Sequence, residues 1–569
     1  MKKDDDETQS QHGNDTPRCL ENMLLGVEKG PWGLHAKAKR RIAEGTVITR
    51  NASLAHKYKY LYLHCTQHSD SNNTSTNTGD CCASCSVTPS EASSLHAKTR
   101  LFRCSACQVV KYCGRDCQRL DFVQHKRECQ YLQKIYDKRD INRREHQHEG
   151  EVEEVCLLLR TFGELEKLRR QAAQKCGSAC YCKAGLMDGN GIATISCGTH
   201  HWNTMVRADL SDTMEEQSAR YKTRILETVA NYTTWTAKET RDTMQVFQAN
   251  NFAIVNTLHE TIGEGIFPHA ALLNHSCDPN CLLRFNSHSK KSKKTVLEIV
   301  ALRNIDEGEE LTHSYVDLVE NTETRQRRLH DTHGFICKCQ RCEGRVTVQL
   351  PRSAPPNLYE WIINHLNPGP APVATENASS KAIQGATSEL ELVFIPVDEA
   401  LRCYGGPSTP CCPKEFASGE QILDRFLLES RRHFAADNIA GELSALQKAL
   451  KTMLETSPVP PPLSRDLYQL RAALLSALLV ALSSASPGNE DDGHQTTLAL
   501  GEASEACNAM VAFLLVALPA NHPLLGLQLF TLGDLTGDRS FHKWARRVLR
   551  ISHGSSHDLV RRLDAIIYP

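Results

Sequence analysis

Leu272-Leu-Asn-His-Ser-Cys-Asp-Pro-Asn280 stands inside a region, Asn250 to Asp317, where β-branched runs and turn residues replace the helical spacing found on either side. Directly after it, Cys281 to Phe285 and Thr295 to Ala301 read as paired strands, with Asn286-Ser-His-Ser-Lys-Lys-Ser-Lys-Lys294 as a solvated hairpin loop. Further on, Cys337-x-Cys339-x2-Cys342 offers three thiolates, one short of a tetrahedral zinc site. Cys277 is the candidate fourth ligand, because closing that site would tie the end of the β region to its own central loop. Cys281 competes for the role, but its strand position suits a small core residue better.

Upstream, Cys82-x2-Cys85, Cys104-x2-Cys107, Cys113-x3-Cys117 and His125-x3-Cys129 place eight candidate ligands within 48 residues. That count fits two tetrahedral zinc ions, since pairs two or three residues apart reach one ion from a tight turn or one helical turn. So compact a segment has few apolar residues, and metal binding would supply much of its folding free energy. Cys81 is a spare that competes with Cys82. A looser group, Cys176, Cys180, Cys182 and Cys197 with His200 and His201, has irregular spacing and is read first as a cysteine-rich insertion without metal.

Lys111-Tyr-Cys-Gly-Arg-Asp-Cys-Gln-Arg-Leu-Asp-Phe-Val-Gln-His-Lys-Arg-Glu-Cys129 resembles a MYND finger. The resemblance implies that Cys82, Cys85, Cys113 and Cys117 share one zinc and that Cys104, Cys107, His125 and Cys129 share another. It also implies a surface for proline-containing partner peptides. Leu272 to Asn280, together with Arg303-Asn-Ile-Asp-Glu-Gly-Glu-Glu-Leu-Thr-His-Ser-Tyr315, resembles the heart of a SET domain, and the combination is similar to the SET and MYND (SMYD) family. That resemblance implies an S-adenosylmethionine-dependent protein-lysine methyltransferase acting on a histone or another protein. Carried over residue by residue, Asn274, His275 and Asn250 match cofactor-contacting positions, Phe335 matches an aromatic of the cofactor pocket, and Lys29 to Gly33 match the loop over the cofactor. Tyr315 matches the tyrosine of the methyl-transfer channel, where it would orient the amine and help to deprotonate it. The third zinc, on Cys277, Cys337, Cys339 and Cys342, falls at the matching place. This chain departs from the family pattern at His333, where a second channel tyrosine is common, and at Pro31-Trp32 in the first loop.

The resemblance implies an α+β fold: a β-rich SET domain split by a zinc-binding MYND finger and a helical insertion, then a helical C-terminal domain. The expected segments are a disordered N-terminus at 1–18, the first part of SET at 19–56, a linker at 57–81 and the finger at 82–129. There follow the helical insertion at 130–249, the SET core at 250–318, the post-SET zinc segment at 319–345, a connecting segment at 346–419 and the helical domain at 420–569. Composition bounds this reading. With 66 Lys plus Arg against 67 Asp plus Glu, the net charge of -1 gives no global attraction to nucleic acid or anionic lipid. The finger lacks the ββα spacing of a DNA-reading finger, so no direct nucleic-acid binding is expected. The start lacks a secretory signal and the longest apolar runs, Ala472 to Leu482 and Ala509 to Leu518, fall short of a bilayer span. A soluble intracellular monomer of the nucleus and cytoplasm is therefore expected, the closely spaced members among its 24 cysteines serving metal rather than disulfides. The competing class is a zinc-stabilised interaction protein, a transcriptional co-repressor or adapter that keeps the SET core as architecture.

Overall fold

The computed structural model describes residues 24–30, 33–52, 55–58, 81–85, 101–136, 149–175, 216–286, 295–366, 391–406, 417–455, 459–484 and 490–569. The 1–18 terminus, nearly all of the 57–81 linker, the Asn286 to Lys294 loop beyond its first residue, and Cys176, Cys180, Cys182, Cys197, His200 and His201 lie outside the described residues.

Small antiparallel ribbons, two of which join distant sequence, build most of the β region. Strands β1 (Leu25–Gly30) and β2 (Gly33–Ala38) form a hairpin, and β2 is held to the segment before Tyr315 by Ala38 N–H donating to the Glu309 carbonyl and Leu311 N–H to the Ala36 carbonyl. Strand β3 (Val47–Ala52) pairs with β11 (Val296–Ala301), which pairs with β10 (Cys281–Asn286). Strand β4 (Ala55–Tyr58) pairs with β8 (Thr261–Ile266), which pairs with β7 (Asn251–Val255). Thus both strands β3 and β4 find their partners some two hundred residues downstream. Inward-facing Ile48, Ile254, Ile266, Leu297 and Ile299 form the core between the ribbons. At Gly263 a Cβ would collide with the Lys57 carbonyl, so the β4–β8 approach requires glycine there.

Between β4 and β7 the described residues form β5 (Phe102–Arg103), β6 (Lys111–Tyr112), α1 (Arg115–Ile135), α2 (Glu149–Lys175), α3 (Glu216–Ala230) and α4 (Ala237–Asn250). A capping box starts α4, with the Thr236 hydroxyl accepting from Glu239 N–H and the Glu239 carboxylate accepting from Thr236 N–H. Helix α2 clamps α1 through Arg160, which is fully buried. Its guanidinium donates to both oxygens of Asp121, at 2.8 and 3.0 Å, to Glu128 Oε2 at 2.8 Å and to the His56 carbonyl of β4 at 3.1 Å. One side chain therefore ties the cysteine-rich segment to the β region.

Strand β9 (Asn274–His275), ahead of β10, pairs in parallel with β12 (Thr312–His313), and α5 (Thr322–His333) ends at Gly334, whose φ of 74° is left-handed. Strands β13 (Thr347–Pro351) and β14 (Leu392–Pro396) and helices α6 (Leu358–Leu366) and α7 (Val397–Cys403) lead, among the described residues, into helices α8 (Ala417–Ala435), α9 (Ile439–Glu455), α10 (Arg465–Ser484), α11 (Glu490–Ala517), α12 (Pro523–Thr536), α13 (Arg539–Ser552) and α14 (Asp558–Ile567). Each packs on the next around a second core of Leu446, Leu470, Leu474, Val511, Phe513, Leu529 and Leu549. The uninterrupted apolar runs are short, yet two helical stretches, Arg465–Ser484 and His494–Ala517, are long and apolar enough to cross a bilayer. Small and weakly polar residues extend the apolar stretch beyond what the runs alone reveal, and both helices turn apolar side chains into this core.

Helices and β region meet along a seam rich in histidine. Asn521 Nδ2 donates to the Leu302 carbonyl at 2.9 Å, and His553 Nε2 donates to the Thr257 carbonyl at 2.8 Å while its Nδ1 accepts from the Ser552 hydroxyl. Burial lowers the pKa of His259, His522, His553 and His557, that of His553 to about 4, and Arg284 opposes charging of the last two. Because the folded pKa lies below the unfolded one, this stability is fully present above pH ~6.5 and is lost as pH falls from there towards the folded value. Lowering the pH from 7.5 to 5.0 should cost about 1–2 kcal/mol through His553, a loss that His553→Gln should remove from the pH profile of urea unfolding. Arg160→Ala, which leaves Asp121 and Glu128 buried without their partner, should cost roughly 3–5 kcal/mol in the same assay.

Candidate functional site

Among the described residues, three groups of side chains carry the ligand chemistry. Cys82 and Cys85 meet Cys113 and Cys117 at the start of α1; Cys104 and Cys107, on the turn between β5 and β6, meet His125 and Cys129 one helical turn apart on α1; and Cys277 meets Cys337, Cys339 and Cys342. Within each group the four ligand atoms lie within 4.8 Å of one another. Zn–S bonds of ~2.3 Å at the tetrahedral angle set sulfurs ~3.8 Å apart. Observed separations are 3.7 Å for Cys85 and Cys113, 3.9 Å for Cys104 and Cys129, and 3.6 Å for Cys277 and Cys342. The donor sets therefore fit zinc. Hydrogen bonding with Cys113 pulls the Cys82 thiol below its ordinary pKa and pushes Cys85 above it, so the crowded thiols cannot ionise together without a cation between them. Cys81 is buried but belongs to none of the described groups. Around the second group, His125 Nδ1 meets Glu128 Oε2 at 2.9 Å, which orients the imidazole and passes the constraint to Arg160. Glu128, three residues from His125, is the part of this support with a signal in the sequence; Arg160 has none.

Parallel pairing of β9 with β12 sets Asn274 beside Thr312 and His275 beside His313. Asn280, to which its sequence context assigns no role, locks this crossing. Its amide donates to the Glu310 carbonyl and to Glu309 Oε1, and its oxygen accepts from Thr312 N–H, all at 2.8 to 2.9 Å. Asn274 Nδ2 donates to Glu310 Oε1 at 2.7 Å. His275 Nδ1 accepts from Tyr315 N–H at 3.0 Å, which leaves its Nε2–H facing Cys277 Sγ at 3.2 Å. A chain of contacts thus runs from the third thiol group through His275 to Tyr315.

Tyr315 is ringed by imidazoles, with centroids of His313 at 4.9 Å, His333 at 4.8 Å and His275 at 5.3 Å. The left-handed Gly334 ends α5 so that His333 and Phe335 both reach this cluster, Phe335 lying 6.1 Å from His275. Phe252, on β7, lies 5.7 Å from His313. The Tyr315 hydroxyl donates to the Leu273 carbonyl at 2.8 Å, and burial raises its pKa above the usual tyrosine range. It stays a phenol near pH 7, a hydrogen-bond donor rather than a phenolate base. Burial lowers His333 to about 4 and His313 to about 3, keeping both imidazoles neutral near pH 7. Asn250 closes α4 with its amide donating to the Val246 carbonyl at 2.6 Å. Lys29 pairs with Leu34 and Gly33 with Gly30 in the β1–β2 backbone, while the Lys29 side chain lies outside the described residues.

A family model described as "SET domain" matches residues 32–316. "Histone-lysine N-methyltransferase SMYD3" of Homo sapiens is 29% identical over 261 residues, covering 44% of this chain and 50% of the relative. "N-lysine methyltransferase SMYD2" of Homo sapiens is 36% identical over 117 residues, covering 20% and 25%. "Histone-lysine N-methyltransferase ASHR1" of Arabidopsis thaliana is 23% identical over 482 residues, covering 82% and 83%. The alignment spans about half the length of the SMYD3 relatives. A solved SET domain of LSMT bound to MeLysine and AdoHcy, 12% identical, covers 95% of this chain and 91% of its own at a TM-score of 0.25, a likeness too slight to bear on the fold.

Elemental analysis of the purified full chain should find close to three zinc ions per molecule, one for each thiol group. Cys277→Ser should lose one equivalent and lower the melting temperature; retention of all three would exclude Cys277 as a ligand.

Proposed function

Because the chain belongs to the SET domain family and to its SMYD branch, we propose that it is an S-adenosylmethionine-dependent protein-lysine methyltransferase, with a histone or another protein as substrate. The observation that carries this reading is the ring cluster formed by Tyr315, His275, His313, His333, Phe335 and Phe252 where β9 crosses β12. A lysine must be deprotonated to act as a nucleophile, and its ordinary pKa is ~10.4. Walls that desolvate it favour the neutral amine. The same π faces suit a cationic methyl donor, and neither His313 nor His333 adds a competing positive charge near pH 7.

S-adenosylmethionine would supply a methyl group on a sulfonium, held by Asn250, Asn274, His275 and Phe335, with Lys29 and Gly33 of the first hairpin above it. Tyr315, fixed by its bond to the Leu273 carbonyl, orients the amine against the cluster. Three zinc ions, all fully coordinated by protein, are structural: they shape the finger and pin the post-SET segment. The finger at 82–129 is a MYND module inserted into the SET domain, and its exposed Phe102, Leu120, Phe122 and Val123 provide apolar surface for proline-containing partner peptides. The protein acts as a monomer in the nucleus and cytoplasm, without direct nucleic-acid or membrane binding.

Calorimetric titration of S-adenosylmethionine into the zinc-loaded full chain separates the enzyme from the adapter reading; binding is expected, and its absence favours the adapter. Tyr315→Phe should cut methyl incorporation into histones at least tenfold with unchanged zinc content, and equal turnover would remove Tyr315 from the reaction.

A further inference from the structure

His313 is bonded on one side of its ring only. Its side chain sits at the end of β12 with 6% of its surface exposed. Nδ1–H donates to the Ser314 carbonyl at 3.0 Å, so in the neutral ring Nε2 holds the lone pair. That Nε2 atom is buried and has no hydrogen-bond partner. An unpaired buried acceptor is destabilising; His542 in the helical tail also leaves its Nδ1 bare, but only at His313 does the bare atom belong to the ring cluster around Tyr315. The groups around it are the faces of Phe252 and Tyr315, with His275 and His333 close by. The Tyr315 hydroxyl is already committed to Leu273, and the His275 Nε2–H faces Cys277. An acceptor left without a donor at the floor of an aromatic cluster points to a ligand that brings an N–H or O–H with it.

We propose that His313 Nε2 accepts a hydrogen bond from the amine of the substrate lysine and thereby disfavours addition of a third methyl group. The inference rests on the methyltransferase reading and deepens it. Each transfer breaks the methyl C–S bond of the sulfonium, forms a C–N bond, leaves a neutral thioether and sends one amine proton to solvent water. A reacting neutral amine aims its lone pair at the methyl carbon, so an unmodified lysine keeps two N–H bonds for other contacts, a monomethylated one keeps one and a dimethylated one keeps none. Only at the third transfer must His313 remain buried and unpaired.

The test uses the zinc-loaded full chain saturated with S-adenosylhomocysteine, probed with n-butylammonium and N,N,N-trimethylbutylammonium, which share the lysine chain and differ in N–H donors. The wild type should prefer n-butylammonium by about tenfold or more, the factor that one buried hydrogen bond supplies. His313→Leu keeps the side-chain bulk and therefore any steric exclusion of the trimethyl probe; its preference should fall below twofold. In the wild type, the ¹⁵N resonance of His313 Nε2 should move upfield when n-butylammonium binds, a readout that needs no folded variant. Failure to bind n-butylammonium, or a resonance unmoved by it, including one already held by an ordered water, would overturn the proposal, as would an unchanged preference in His313→Leu. With histone substrate, mass spectrometry should find mono- and dimethyl-lysine from the wild type and a trimethyl fraction raised several-fold by His313→Leu. Methyl transfer with a product distribution unaffected by the variant defeats the role of His313 alone. An amine-dependent resonance shift without any methyl transfer defeats the enzyme reading and leaves the amine contact standing.

Discussion

Four sulfur atoms crowd together where Cys277 meets Cys337, Cys339 and Cys342, and the site is organised around that meeting. Such proximity is tolerable when a shared cation offsets the repulsion between thiolates, and the separations are those zinc imposes. From Cys277 the constraint passes to His275, and from His275 to the backbone of Tyr315. From the other side, the left-handed Gly334 ends α5 so that His333 reaches the same tyrosine and Phe335 reaches His275. The ring cluster is therefore assembled from β9, β12 and the end of α5 by one group of ligands.

A second set of constraints fixes this assembly to the helices. Arg341 donates to the Ala517 carbonyl of α11 at 2.8 Å and to Asp398 of α7, which also receives Arg325 at 2.6 Å. Burial would raise the Asp398 pKa, but the two guanidiniums overcome it and hold the carboxyl below its ordinary range. Breaking such a cluster leaves a buried charge unpaired, so it specifies one arrangement of post-SET segment and tail more strongly than apolar packing would. Arg160 plays the same part between the cysteine-rich segment and β4. Both clusters join segments far apart in sequence that have no common hydrophobic periodicity.

Much of the site was legible because its chemistry depends on residue type at short spacing. Cysteine pairs two or three residues apart announce a metal, and Asn274-His-Ser-Cys277 with Tyr315 carries the resemblance to SET. Other parts were silent for a physical reason. Asn280 acts through three hydrogen bonds to residues about thirty positions away, and nothing in Asp-Pro-Asn distinguishes a hub from an ordinary turn. His313 looks like one histidine among 25 until the fold sets its bare Nε2 in the ring cluster around Tyr315. Tyr315 was legible as a position and less so as a role, since only the fold commits its hydroxyl to the Leu273 carbonyl.

By itself the amino-acid order determined the kinds of ligand, their grouping into pairs, the alternation of β and helical regions and the likeness to a family, because each of these is written in local spacing. Tertiary structure alone decided that Cys82 rather than Cys81 joins the first group, that β3 and β4 pair with strands far downstream, and that neutral imidazoles surround Tyr315. Those outcomes depend on burial and on contacts between remote segments, and burial is a property of the folded surface that no short window of sequence contains.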